Sequence, residues 1–314
     1  MKFIRWVTNI DRRIIFLLMF VVVLVPILID IPLETDVGPT VEAAYTAVDT
    51  LPPGSVIMLS VDYDATSYPE CHPMIVAVSN HAFSKGLRII LVAHIPTGLP
   101  LGQAAVEEAA FEYNKLHKQE YDAAIKQAIT TYPDTSSVEF RQVREDAAVK
   151  YKKRYGVDYV NLGFRPGLAS IMVGMGREIR DFYAQDYKST DVDSLPMMKR
   201  VHNYEDIALL ASFAHGKQVE YWIQYAGARY GQKIIAGVTG VVIPDLYPFL
   251  QSKQLSGLIG GLKGANEYEF LLGRKGLGTK GMPAQSTAHI LVIFLIVLGT
   301  IFEFILSILS RRKS

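Results

Sequence analysis

Two carboxylates one residue apart, in Asp62-Tyr63-Asp64-Ala65-Thr66, directly follow the apolar run Val56 to Val61. Acidic groups paired on one tight loop suit a hard cation, because carboxylate oxygens are its preferred ligands and one oxygen can still be offered to a substrate. Four further apolar runs end in polar residues: His94 and Thr97, Asn161 and Arg165, His215, and Thr239. If these runs are parallel strands, all eight residues share the carboxyl edge of one sheet, where open α/β sheets bind ligands. A plainer explanation stands beside this one, since exposed strand-end loops are polar in any protein.

The pattern Asp62-x-Asp64-x-Thr66 resembles the first motif of the haloacid-dehalogenase superfamily, D-x-D-x-T/V. The resemblance implies Asp62 as nucleophile, Asp64 as general acid/base, magnesium as cofactor and a phosphohydrolase activity. It covers five residues of 314. That family completes its metal site with a later acidic pair after a strand; here the loops after Phe213 and Val238 offer His215 and Thr239, with Asp245 standing alone. The D-x-S-x-S of von Willebrand A-type domains is matched less well, Asp64 and Thr66 standing where serines are expected.

Other motifs are weaker. Gly257, Gly260, Gly261 and Gly264, with Lys263, suggest a phosphate cradle, but their spacing is neither that of a P-loop nor that of a dinucleotide turn, and close backbone packing explains them as well. Arg165-Pro166-Gly167 suits an anion at a helix N-terminus or a simple turn. His72 and His81 lack partners at ligand spacing. Cys71, the single cysteine, has no intrachain disulfide partner and is expected to be a buried thiol.

These residues need a framework, and composition bounds it. The chain has 314 residues, 50% hydrophobic and 20% charged, enough for one large or two ordinary domains. With 32 Lys and Arg against 31 Asp and Glu, the net charge is +1, so no global field draws nucleic acid. A mean hydropathy of +0.19 points to a water-soluble body joined to lipid-soluble segments.

Two such segments are visible. Residues 14–33 form a nearly uninterrupted apolar run, and residues 288–308 form another whose one acidic residue is Glu303; each is long enough to cross a hydrocarbon core of about 30 Å. Lys2, Arg5, Arg12 and Arg13 precede the first run, whereas Glu34 and Asp36 follow it, so the positive-inside bias places the N-terminus in the cytoplasm. No small-residue cleavage site follows closely, which favours an uncleaved anchor over a signal peptide. Both tails, 1–13 and 309–314, are then cytoplasmic, and the body, 34–272, is extracytoplasmic. None of the asparagines stands in a glycosylation sequon, so a prokaryotic cytoplasmic membrane is the expected location. Glu303 within the second span implies a pair with Arg12 or Arg13 at the same depth, a partner protein in the membrane, or snorkelling toward Arg311 and Arg312.

In the body, short apolar runs alternate with helical patterns: runs at 56–61, 87–93, 158–162, 206–213, 233–238 and 255–259, and helices at 73–85, 167–185, 217–230, 244–251 and 265–272, after a lead-in helix at 38–50. Such alternation predicts an α/β fold, a Rossmann-like doubly wound and mostly parallel sheet between N- and C-terminal transmembrane helices. Residues 101–154, rich in Ala, Glu, Lys and Gln, read as an inserted helical hairpin, and 273–287 as a glycine-rich linker. The function expected from these features is a two-span membrane protein whose body binds a ligand or subunit within a larger assembly, as a homo-oligomer or with another membrane protein. The alternatives are a magnesium-dependent envelope phosphohydrolase using Asp62 and Asp64, and a transporter accessory subunit.

Overall fold

A computed structural model of the protein describes residues 11–29 and 34–311, with side chains as far as Ile308. Lys2, Arg5, the end of the first apolar run at Ile31 to Leu33, and the closing Arg312 and Lys313 lie outside the described residues. The chain divides into a body, Asp36–Gly276, and a second unit formed by its two ends.

The body is built on six strands: β1 (Val56–Asp62), β2 (Arg88–Ala93), β3 (Tyr159–Phe164), β4 (Leu209–Ala214), β5 (Ile234–Val238) and β6 (Leu258–Gly260). They form one all-parallel sheet in the order β3-β2-β1-β4-β5-β6. The first three strands step outward in one direction and the last three in the other, so the winding reverses between β1 and β4. Every residue of β1 and β4 is buried, as strands covered on both faces must be.

Helices fill both faces. On one lie α2 (Pro39–Asp49), α3 (Tyr68–Ser84), α4 (Gly98–Leu116) and α11 (Gly261–Leu271), packed on Ile57, Leu59 and Val61. On the other lie α7 (Leu168–Met175), α8 (Gln218–Trp222) and α10 (Ile243–Gln251), with short 3-10 turns, packed on Met58, Ile90 and Leu210. The chain therefore has a Rossmann-like α/β architecture. Between α7 and α11 it also forms a five-residue π turn, Ile223–Gly227, directly after Trp222, which leads into the single turn α9 (Ala228–Tyr230).

Several elements differ from the sequence reading for identifiable reasons. The helix expected to start at Pro73 starts at Tyr68, because Pro69 already occupies a first-turn position where its missing N–H costs nothing. The helix expected over 167–185 stops at Met175, where bare backbone admits two rings: a Cβ on Gly174 would stand 2.0 Å from Phe182, and one on Gly176 would stand 2.3 Å from Tyr230. The strand expected from Asp206 begins at Leu209, since the Asn203 side chain accepts from the Glu205 N–H and caps a 3-10 turn over Tyr204–Asp206.

The inserted hairpin is also smaller than 101–154. Its first part, α4, is the crossover helix itself, with Ala105, Val106 and Ala109 in the core. Gly98 and Gly102 let α4 approach β1 closely; a Cβ on Gly98 would stand 2.0 Å from the Val61 carbonyl oxygen. The hairpin proper is α5 (Lys118–Thr131) and α6 (Val138–Tyr151). Ser137 caps α6, its hydroxyl accepting from the Phe140 N–H at 3.1 Å. Ser137→Ala is expected to cost about 1 kcal/mol, read as faster amide exchange across the first turn of α6 with the sheet unaffected.

In the second unit, α1 (Arg12–Leu28) pairs with α12 (Leu277–Arg311). Over Leu277–Ile308, α12 is long and apolar enough to cross a membrane. The stretch 273–287, expected as a linker, is helical from Leu277 onward, leaving only Gly273 to Gly276 outside a helix. Packing outweighs glycine propensity there: Ala284 is buried, and the Thr287 hydroxyl donates to the Val22 carbonyl of α1 at 3.0 Å.

Candidate functional site at the carboxyl edge of the sheet

Asp62 closes β1 and is fully buried. Its Oδ1 accepts the N–H groups of His94 (2.6 Å) and Ile95 (3.0 Å), and its Oδ2 accepts the Ser60 hydroxyl at 2.5 Å. The side chain thus fastens the end of β1 to the start of the loop after β2. Burial raises its carboxyl above the ordinary carboxylate value, against the opposing pull of His94 and these donors.

Asp64 does something different. Its Oδ1 accepts from the Thr66 hydroxyl and N–H and from the Ser67 hydroxyl and N–H, closing the turn that leads into α3. These donors, the Thr66 hydroxyl first, hold its carboxyl well below the usual range. The two carboxylates serve separate structures, one across strands and one within its own loop, so the donor set does not fit the shared magnesium site expected from the D-x-D pattern. Among the described residues, no three His, Cys, Asp or Glu side chains are grouped to hold a metal.

The other expected rim residues divide. Asn161 lies inside β3 and belongs to the core, its Nδ2 donating to Gln103 and its Oδ1 accepting from the Gly163 N–H. The Thr97 hydroxyl donates to the Tyr63 carbonyl at 3.3 Å. Arg165 donates from Nε to the Phe182 carbonyl (2.8 Å) and lies over the Tyr183 ring, 5.4 Å from its centre. His94 is 8% exposed, with Nδ1 at 3.4 Å from the Arg165 carbonyl oxygen and its ring 5.4 Å from that of Trp222. That contact makes Nδ1 the protonated nitrogen and Nε2 the lone-pair nitrogen. Burial lowers the His94 pKa below its ordinary value.

Seven buried polar atoms without a hydrogen-bond partner gather at this edge: His94 Nε2, Tyr183 Oη, Ser212 Oγ, His215 Nδ1, Gln218 Oε1, Trp222 Nε1 and Thr239 Oγ1. Such atoms are rare in folded proteins and mark places where something else completes the bonding. Ser212 is paired in register with Ser60 across the β1 and β4 seam, where the winding reverses. Ser212, Trp222, Tyr183 and Gln218 escaped the sequence reading. Ser212 is the one hydroxyl in the run Leu209 to Ala214 and on that ground could have been found; Tyr183 lies outside any strand-end loop.

The remaining motifs are structural. Gly257 meets the backbone of Ala44, Gly260 meets Ile243, and Gly261, at φ +60°, faces Glu70, whose Oε2 accepts the Gly240 N–H. Close approach, including a protein carboxylate beside the start of α11, accounts for these glycines. His72 bonds Tyr63 and Glu108, and His81 bonds Tyr268 and Asp49. The Cys71 thiol is pushed up to about 12 by burial and is inert as a nucleophile. Glu303 is exposed on α12.

The strand order is that of the dinucleotide-binding α/β folds, but the turn after β1 carries Asp62 and Asp64 in place of glycines. No protein-family model, curated protein or solved structure matches the chain.

Proposed function

We propose that this protein is a membrane-anchored binding and scaffold subunit of a larger membrane assembly, its α/β body extracytoplasmic and both termini cytoplasmic. Glu303 carries this reading. It is the one acidic residue between Ala288 and Ile308, and it is exposed on α12 although α1 packs on the same helix. An acidic side chain facing lipid near the middle of a span costs roughly 3 kcal/mol, less toward its ends, and pairing inside an assembly removes that cost. The arginines Arg12 and Arg13 before the first apolar run set the orientation. The hairpin adds exposed apolar surface at Ile129 (46%), Val138 (69%) and Val149 (55%).

Asp62 supports binding over phosphohydrolysis, because both of its oxygens already hold protein donors. The assembly is tested by native mass measurement in mild detergent. Several copies, or one copy with a partner, are expected, with Glu303→Lys and deletion of the α5 and α6 hairpin each lowering the assembled fraction. A single copy without partner, at concentrations matching those in the membrane, would sink the reading.

A further inference from the structure

The carboxyl edge presents an imbalance of bonding groups. Trp222 Nε1 can only donate, the Ser212 and Tyr183 hydroxyls have donors to spare, and all three residues are fully buried. Beside them Arg165 is half-buried and forms no ion pair among the described residues; its bonds go to the carbonyls of Phe182 and Phe164. The nearby carboxylate of Asp62 is engaged by three donors and does not reach the guanidinium. The edge therefore has a guanidinium without an ion-pair partner, beside a buried donor (Trp222 Nε1), two hydroxyls (Ser212, Tyr183) and two acceptors (His94 Nε2, Gln218 Oε1) that lack protein partners.

We propose that this edge of the sheet binds a small organic carboxylate, its charge met by Arg165 and its polar atoms by His94, Tyr183, Ser212 and Trp222. Place and chemistry agree. These groups lie toward the reversal of winding between β1 and β4, the position at which open α/β sheets take ligands. A single guanidinium matches a single negative charge, and planar carboxylates suit its fork. Phosphate fits less well: in this strand order it would sit at the turn after β1, whose amides are already taken by the Asp64 carboxylate. Trp222, Tyr183, Ser212 and His94 are all more than nine-tenths buried, so only a small ligand suits them. His94 Nε2, as a lone-pair nitrogen, accepts from a hydroxyl on the ligand, so a hydroxy acid satisfies more of the site than a plain acid.

This assignment rests on reading the body as a binding domain, and its test is independent of the assembly. Full-length protein in mild detergent carries two tryptophans, so Trp6→Phe leaves Trp222 as the only reporter. Its emission is titrated with acetate, lactate and succinate, and with phosphate and glycerol as the competing chemistries. A saturable change with at least one carboxylate, strongest for lactate, is expected. Arg165→Gln is expected to weaken it about tenfold or more. Ser212→Ala should weaken it several-fold while leaving thermal unfolding unchanged, because that hydroxyl has no protein partner to lose. The proposal fails if none of the three carboxylates saturates, if phosphate or glycerol binds as well or better, or if both substitutions leave the titration unaltered. Failure with the native mass intact removes the ligand and keeps the scaffold; carboxylate binding by a solitary chain does the reverse.

Discussion

The body of this protein is expected to lose stability as the pH falls through about 6.5, the ordinary histidine value. Three histidine rings are buried: His72 and His81 at 2% exposure and His94 at 8%. Each has its pKa lowered, in each case first by burial. Glu108 pulls His72 upward, Asp49 pulls His81 upward while Lys85 pushes it down, and Asp62 pulls His94 upward, but burial outweighs these partners. A histidine whose folded pKa is depressed contributes stability that is fully present above its unfolded value and is lost as the pH drops from there toward the folded value. Each such group steepens the fall, by no more than about 1.4 kcal/mol per pH unit, and the three act in the same direction.

His72 and His81 sit two and a half turns apart on α3, so protonation strains both flanks of one central helix. His72 joins α3 to α4 through Glu108 and stacks on Tyr68; His81 joins it to α2 through Asp49 and to α11 through Tyr268, and stacks on Tyr45. Thermal unfolding recorded between about pH 5 and 8, across the histidine range, checks the expectation. His72→Gln and His81→Gln should each flatten the profile while lowering the plateau above neutrality. A melting temperature that does not change through this range would show that the carboxylate partners offset burial and leave the folded pKa values at their unfolded ones.

What could be read from the chain follows from how local each signal is. The parallel sheet was legible because Val56 to Val61 and Leu209 to Ala214 are apolar runs broken by a single serine each, and strands covered on both faces carry such sequences. The order of the strands was not, since nothing in β4 says that it lies beside β1. For the same reason the carboxyl edge could be named only in part. His94, Arg165, His215 and Thr239 stand where strand ends place them, but Asn161, read as a loop residue, is bonded within β3 to Gln103 of α4, a contact between residues far apart in the chain. Tyr183 and Trp222 reach the edge from connecting segments whose path is set by packing, and no spacing rule points to them. The linker misled for the opposite reason: its glycines are a local signal, overridden by the contact of α12 with α1.

The same contrast between local pattern and tertiary setting decides what Asp62 is for. A nucleophile needs a free, ionised oxygen, whereas this side chain holds two backbone N–H groups and one hydroxyl with every atom buried. Asparagine reproduces that arrangement: its Oδ1 accepts the His94 and Ile95 amides, and its Nδ2 donates to the Ser60 oxygen once that hydroxyl rotates. Asp62→Asn is therefore expected to cost less than about 1 kcal/mol, while Asp62→Ala, which leaves two buried amides without acceptors, costs about 3 kcal/mol or more. The acidic limb should report the same substitution. Because burial raises the Asp62 pKa, the stability linked to its protonation is fully present below its unfolded value of 3.8 and is lost as the pH rises through the folded value. Asp62→Asn, permanently neutral, removes that loss and should raise stability near neutral pH relative to its value in acid. Unfolding midpoints of the two variants measured at neutral and acidic pH test both parts together. Equal destabilisation by asparagine and alanine would mean that the ionised carboxylate itself is what the fold requires.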